Sequence, residues 1–307
     1  MKTILITGGG RGLGRVTAEK LATAGHHVIL TARDPEAGRQ VLADIRAAMP
    51  AAKVETRVLD LARLESVRAF SRELVASGIT LDVLFHNAGV MQQSPTRRLT
   101  ADGFEETLAV NVLAPFLLTA LLLPALERST SARVIGVSSR LHLPGSRGTP
   151  VRFDFDDVQL ERGYDPERAY KNSKLAMLWF IYELHRRLPP RRIVANAVCP
   201  GFVPVTAAVS TRGLQRFLLS HMLPMMPFAT SVDAATDSFV FMATDPSLEG
   251  VGGRFFGERR PLESSPESHD GEKAARFWHL AEVLTNVSFL PTPKPRPAAQ
   301  RQNLQPR

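Results

Sequence analysis

Apolar and polar positions follow two rhythms through the first two-thirds of the chain. Short apolar runs rich in β-branched residues occupy 2–7, 27–32, 53–58, 81–85, 133–137 and 193–198. Between them, at 13–24, 35–49, 64–77, 101–127 and 167–187, apolar residues recur at the three-and-four spacing of a helix. The runs predict strands buried on both faces, and the longer stretches predict amphipathic helices. A strand–helix–strand rhythm with short links is that of an α/β fold, a doubly wound parallel sheet with right-handed crossovers and helices on both faces. No internal repeat interrupts it, so a single domain is expected over residues 1–290. From 291 the chain reads PTPKPRPAAQRQNLQPR, too rich in proline and polar residues to pack, which predicts a disordered tail over 291–307.

Composition narrows the classes. Of 307 residues, 44% are hydrophobic, enough for a substantial core. The single cysteine, Cys199, excludes an internal disulfide, and no signal peptide precedes the first strand, so a cytoplasmic protein is expected. The net charge of +8 comes from scattered basic residues without interleaved aromatics, which argues against a nucleic-acid partner. The doublets Arg186-Arg187 and Arg191-Arg192 read as solvated helix ends that complement the helix dipole. The longest apolar run, 110–126, falls short of the ~20 residues needed to span a bilayer. It also carries Asn111, Pro115 and Pro124, so it predicts a buried or interface helix.

The stretch TGGGRGLG, from Thr7 to Gly14, lies between the first strand and the first helix. In that position bare backbone lets N–H groups reach a pyrophosphate at the positive helix end, as in Rossmann-type folds. The spacing is T-G-x-x-x-G-x-G, on Gly8, Gly12 and Gly14, with Gly10, Arg11 and Leu13 completing a dinucleotide cradle. An NAD enzyme places an acid at the end of the second strand for the ribose 2′-hydroxyl. Here Ala32 is followed by Arg33, and a guanidinium there suits a 2′-phosphate, with Arg11 as a second cation. Asp34 is the competing feature. The expected cofactor is NADP(H).

Tyr170 and Lys174, in YKNSK, lie four apart in a helical stretch and so share a face. A cation beside a phenol favours the phenolate and draws its pKa down from ~10, which suits acid–base work. Alone, such a pair is commonplace. It is joined by Ser138-Ser139 at the C-terminal end of a strand, the edge where open α/β sheets bind ligands, and by Asn111, an amide inside an apolar helix.

Together with Asp60, NAG at 87–89, VN at 110–111, VSS at 137–139 and PG at 200–201, these motifs make the chain resemble the short-chain dehydrogenases/reductases over residues 2–287. The resemblance implies that Tyr170 protonates or deprotonates the substrate oxygen and that Ser139, rather than Ser138, hydrogen-bonds it. Lys174 would lower the tyrosine pKa and bind the nicotinamide ribose, and Asn111 would hold a relay water. Asp60, with Leu61, would contact the adenine. Asn87, with Ala88 and Gly89, would meet the adenosine side, and Pro200, Gly201 and Val203 would add cofactor contacts.

Within the family the chain is most similar to the retinol dehydrogenase and protochlorophyllide reductase-like group, through DLARLESVRAF, LTADGFEETLAVNVLAPFLLTALLLPAL, AYKNSKLAMLWFIYELHRRL and GVGGRFF. It departs from the family pattern at His86, in place of the first asparagine of NNAG, and at Thr206, one residue late after PG. Ala176, where protochlorophyllide reductases carry cysteine, argues against their photochemistry. The implied activity is carbonyl–alcohol interconversion on a lipophilic substrate. A ketoreductase tailoring a polycyclic metabolite is the alternative enzyme, and an NADP(H) sensor is the non-enzymatic one, disfavoured because Tyr170 and Lys174 are both kept. Selectivity is expected from a lid at 206–230. There Leu214, Phe217, Leu218, Met222, Met225 and Met226 form an adaptable apolar surface broken by Pro224 and Pro227. The same surface suits packing on the core, a homo-oligomer contact or peripheral contact with a membrane.

Overall fold

The computed structural model describes residues 1–144, 151–189, 192–204, 226 and 229–290. The chain opens as β1 (Thr3–Ile6), α1 (Gly12–Thr23), β2 (His27–Ala32), α2 (Pro35–Ala48), β3 (Val54–Val58), α3 (Leu64–Ala76) and β4 (Val83–His86). α4 follows over Glu106–Glu127, with one π-helical turn at Ala109–Leu113. Then come β5 (Ala132–Val137), α5 (Pro166–Arg187), β6 (Ile193–Val198), α6 (Val232–Thr244), β7 (Phe255–Gly257), β8 (Arg260–Leu262) and α7 (Gly271–Thr285). The strands form one sheet in the order β3-β2-β1-β4-β5-β6-β7-β8. Every pairing is parallel except the last, β7 with β8. The doubly wound α/β architecture is as expected. The final antiparallel strand, β7, α6 and α7 extend it beyond the elements the rhythm predicts.

Both faces of the sheet are covered, which is why the first six strands read as continuous apolar runs rather than alternating ones. Successive residues enter opposite layers. Leu5, Ile29 and Leu84 join the core beneath α3, α4, α5 and α7, while Ile4, Ile6, Val28, Leu30, Val83 and Phe85 pack under α1, α2 and α6. α4 starts five residues later than its periodicity predicts, because Glu105 caps it. The Glu105 carboxylate accepts from Thr107 N at 2.9 Å and Leu108 N at 2.7 Å.

Two expectations need correction. α4 spans 22 residues, and among the described residues it is the one helix long and apolar enough to cross a membrane, although 78% of its most apolar window is buried inside the protein. The apolar run at 110–126 is thus only the middle of a longer helix, which the periodicity at 101–127 already indicates. The Arg186-Arg187 doublet is not a solvated helix end. Arg187 is buried, with Nε 2.6 Å from Oε1 of the buried Glu183, its guanidinium 4.4 Å over Trp278 and a hydrogen bond to Leu290 O. Only Arg186 reaches solvent, and it too bonds Glu183. α7 and the segment after it return over this helix end and cover it. Arg192 keeps an exposed position and donates to Glu127 O. Arg191 and the predicted tail lie outside the described residues.

Candidate active site

The sheet order reverses between β1 and β4, so the loops leaving their carboxyl ends diverge and leave a crevice. The glycine turn fills one wall. Gly8 has φ +71°, and a Cβ there would stand 2.9 Å from Ala88 Cα. A Cβ on Gly14 would meet Asn87 Nδ2 at 2.5 Å and Gly8 O at 2.6 Å. The turn and the Asn87-Ala88 segment therefore touch through bare backbone, and Asn87 Nδ2 donates to Thr7 O at 2.9 Å. Gly9 is equally constrained, against Leu30, although the spacing did not single it out. Gly10 is not, because a Cβ there would make only an ordinary 3.5 Å contact with Ala32.

This cradle fits a dinucleotide phosphate. Gly12 and Leu13 open α1, which starts without a side-chain cap at Arg11, leaving its N–H groups free for an anion. Arg11 and Arg33 are exposed, and their guanidinium groups make no hydrogen bond or ion pair among the described residues. Asp34, by contrast, is engaged: its carboxylate accepts from Glu36 N at 2.9 Å and caps α2. Asp60 lies just beyond β3, its main-chain N–H held by Ser66 Oγ and its carboxylate accepting from Ala62 N, with Leu61 buried beside it.

On the other side of the crevice, α5 presents Tyr170 and, one turn on, Lys174, whose Nζ lies 5.2 Å from the phenol ring centroid. Lys174 is buried and donates to Val137 O, the last carbonyl of β5, at 3.0 Å. Its other two donors have no partner among the described residues, and they lie beside the exposed Gly89, where a Cβ would stand 3.5 Å from Nζ. An ammonium with two idle donors facing an opening fits a ribose diol. The two serines divide their work. Ser138 is buried and donates to Lys174 O at 2.9 Å, tying β5 to α5. Ser139 lies near enough to the Tyr170 phenol to favour its phenolate, and it caps a short 3₁₀ turn at Arg140–His142.

One expectation about this cluster does not hold. The lysine does not draw the phenol pKa down. Burial pushes Tyr170 up to about 12, aided by nearby Cys199 and opposed by the Ser139 hydroxyl. Burial likewise brings Lys174 down to about 8. Desolvation of both groups outweighs their proximity, and the ammonium is spent on a carbonyl rather than on the phenol oxygen. The two amide protons of Asn111 are already committed, which leaves its carbonyl oxygens to receive a relay water. Nδ2 donates to Val90 O at 2.9 Å and Ser173 Oγ at 3.0 Å, and Oδ1 accepts from Val90 N at 2.7 Å. Placed in the π-helical turn of α4, Asn111 braces the loop after β4 against α5.

Further residues complete the edge. Cys199 closes β6, and Gly201 N donates to its sulfur at 3.4 Å. Pro200 and Gly201 lead to the buried Val203, and Thr230, unnoticed in the sequence, seats itself where a Gly201 side chain would go. His86 is buried at the end of β4. Its Nε2 meets Thr119 Oγ1 at 2.8 Å, and burial lowers its pKa to about 3. Thr206 and nearly all of the expected lid, including Met222, Pro224, Met225 and Pro227, lie outside the described residues; Met226 is described and exposed.

Known proteins resemble this chain in sequence and fold. The family described as short chain dehydrogenase matches residues 2–151. Human (Homo sapiens) retinol dehydrogenase 14 is 37% identical over 300 residues, covering 93% of this chain and 87% of that protein. Polyprenol dehydrogenase of Mus musculus is 36% identical, covering 93% and 84%. A crystal structure of an uncharacterised protein from Mycobacterium Paratuberculosis superposes with a TM-score of 0.69 at 33% identity, covering 95% of each chain. With an eight-stranded, largely parallel sheet and relatives matched over nearly its whole length, the chain belongs to the short-chain dehydrogenase family, whose oxidoreductases use a nicotinamide cofactor.

Proposed function

We propose that this protein is an NADP(H)-dependent oxidoreductase that interconverts a carbonyl and an alcohol on a lipophilic substrate by hydride transfer. The observation that carries the reading is the Ser139–Tyr170–Lys174 cluster at the carboxyl edge, facing Gly89 and the uncapped start of α1. The bound nicotinamide supplies or accepts the hydride. Tyr170, protonated across the physiological range, donates its proton to the carbonyl oxygen as the alcohol forms, while Ser139 orients that oxygen. Lys174 would hold the nicotinamide ribose with its two idle donors. Reduction uses the phenol as it stands, so oxidation, which needs the phenolate, rises as pH increases.

The choice of NADP(H) is supported by the two unpartnered guanidinium groups of Arg11 and Arg33 and by the engagement of Asp34 as a helix cap. A lipophilic substrate is supported by three exposed apolar side chains on successive loops at the same edge, Met91 after β4, Leu141 after β5 and Phe202 after β6. It is further supported by relatives named for retinol and polyprenol. The test is a panel of retinal, dodecanal and short polar aldehydes with NADPH or NADH, read by cofactor absorbance. Turnover of the apolar aldehydes with NADPH is expected. Turnover confined to short polar aldehydes, or equal use of NADH, contradicts the reading.

A further inference from the structure

His142 lies three residues beyond Ser139, fully buried, and both of its ring nitrogens are committed. Nε2 receives the main-chain N–H of Ser265 at 3.1 Å, so that nitrogen carries no proton. Nδ1 faces the main-chain carbonyl of Ser139, which can only accept, so Nδ1 carries the proton and donates it. The ring plane is set by an edge-to-face contact with Phe255 of β7, at 5.1 Å and 88°. Burial holds the ring's pKa below the usual imidazole value, opposed by the Ser139 carbonyl and aided by the Arg140 charge.

The ring thus joins three parts of the chain: the residue that faces the Tyr170 phenol, the strand β7, and the segment that follows β8. The Ser139 carbonyl also accepts from the main-chain N–H of His142 at 3.3 Å, and among the described residues the His142 ring is its one tie to the C-terminal elements. Its own hydroxyl accepts from Leu141 N at 3.2 Å, a bond within the same turn that does not reach the C-terminal elements. We infer that His142, held as the Nδ1–H tautomer, is a positioning residue that fixes the Ser139 main chain and thereby the hydroxyl facing Tyr170. Displacement of a group by about 1 Å from its reacting geometry is enough to cost about 100-fold in rate. The inference rests on the proposed role of Ser139, and its test includes readouts independent of turnover.

Two conservative variants split the ring's two bonds. His142→Asn keeps an amide N–H where Nδ1 stands and loses the acceptor for Ser265. His142→Gln keeps a carbonyl where Nε2 stands and loses the donor to Ser139. In the full chain with NADPH, kcat for dodecanal is expected to fall about 10- to 100-fold in His142→Gln and about threefold or less in His142→Asn, with KM for NADPH unchanged in both. Should dodecanal not be a substrate, nitrogen NMR of the ¹⁵N-histidine-labelled protein still reads the tautomer. The Ser139 amide resonance, in turn, should move in His142→Gln and stay in His142→Asn. Protonation of Nε2 in the wild type overturns the inference. So do equal kinetic losses in the two variants, or a Ser139 amide indifferent to both; each would leave His142 as core packing alone.

Discussion

Two pairs of arginines, Arg11 with Arg33 and Arg186 with Arg187, look alike in the sequence and do opposite things in the fold. Arg187 is surrounded: Glu183 neutralises it, Trp278 lies under its plane and Leu290 O accepts from it. Arg11 and Arg33 stand at the carboxyl edge with no partner among the described residues. A guanidinium whose donors are spent inside the protein is a clamp, whereas one whose donors are idle beside an anion cradle is available to a ligand. The difference lies in what arrives from elsewhere in the chain. The groups that close over Arg187 come from α7 and the segment after it, and among the described residues nothing equivalent comes to Arg33.

The largest expected effect is on the clamp. Glu183→Ala leaves Arg187 buried without its counter-charge and should cost about 3–5 kcal/mol of stability in denaturant melts, with NADPH affinity unchanged. An unaltered melt would mean that Arg187 finds solvent easily and that the contrast is false. Next comes Arg33→Ala, which should weaken NADPH binding by about 1.5–3 kcal/mol, tenfold or more, while NADH binding and stability hold. Equal losses for both cofactors would place Arg33 outside any 2′-phosphate site.

His86 offers a third contrast, since it is as buried as Arg187 but can shed its charge. Its pKa falls from 6.5 to about 3 on folding, so the unfolded chain binds the extra proton between those values. Stability is therefore complete above 6.5 and is lost as pH drops through 6.5 towards 3, by up to about 1.4 kcal/mol per pH unit. His86→Asn should remove that slope. A wild-type and variant pair with parallel pH profiles would show that the ring is hydrated. The smallest effect belongs to Gly10→Ala, about 0.5 kcal/mol or less in stability, because its Cβ meets only Ala32. Gly14→Ala, driven into Gly8 O, should abolish cofactor binding and sharpens the comparison within one turn.

What the sequence made legible follows from how these elements are stabilised. The first six strands are buried on both faces, and such strands must be continuous apolar runs, so His27–Ala32 and Ile193–Val198 matched their runs end to end. β7 and β8 are three residues each; β7 is placed by pairing Ala197 with Phe255 and Val198 with Phe256, and β8 by pairing with β7, not by any local pattern. Tyr170 and Lys174 were visible because four residues along a helix is one turn. The direction of their pKa shifts was not, because burial of Lys174 depends on β5 and on the loop after β4. His142 escaped notice for a related reason: the N–H that fixes its tautomer belongs to Ser265, 123 residues away.

On the proposed mechanism, Tyr170 supplies the proton in a hydride transfer from NADPH to a lipophilic carbonyl. The direct measurement follows deuterium from NADPH labelled at its transferring position into dodecanol, by mass spectrometry, for the wild type and Tyr170→Phe. The account predicts one deuterium per alcohol formed by the wild type. It predicts a rate about 10²–10⁴-fold lower for the variant, with NADPH affinity retained. A wild type that forms no labelled alcohol, or a Tyr170→Phe variant that keeps more than about a tenth of the rate, would contradict it.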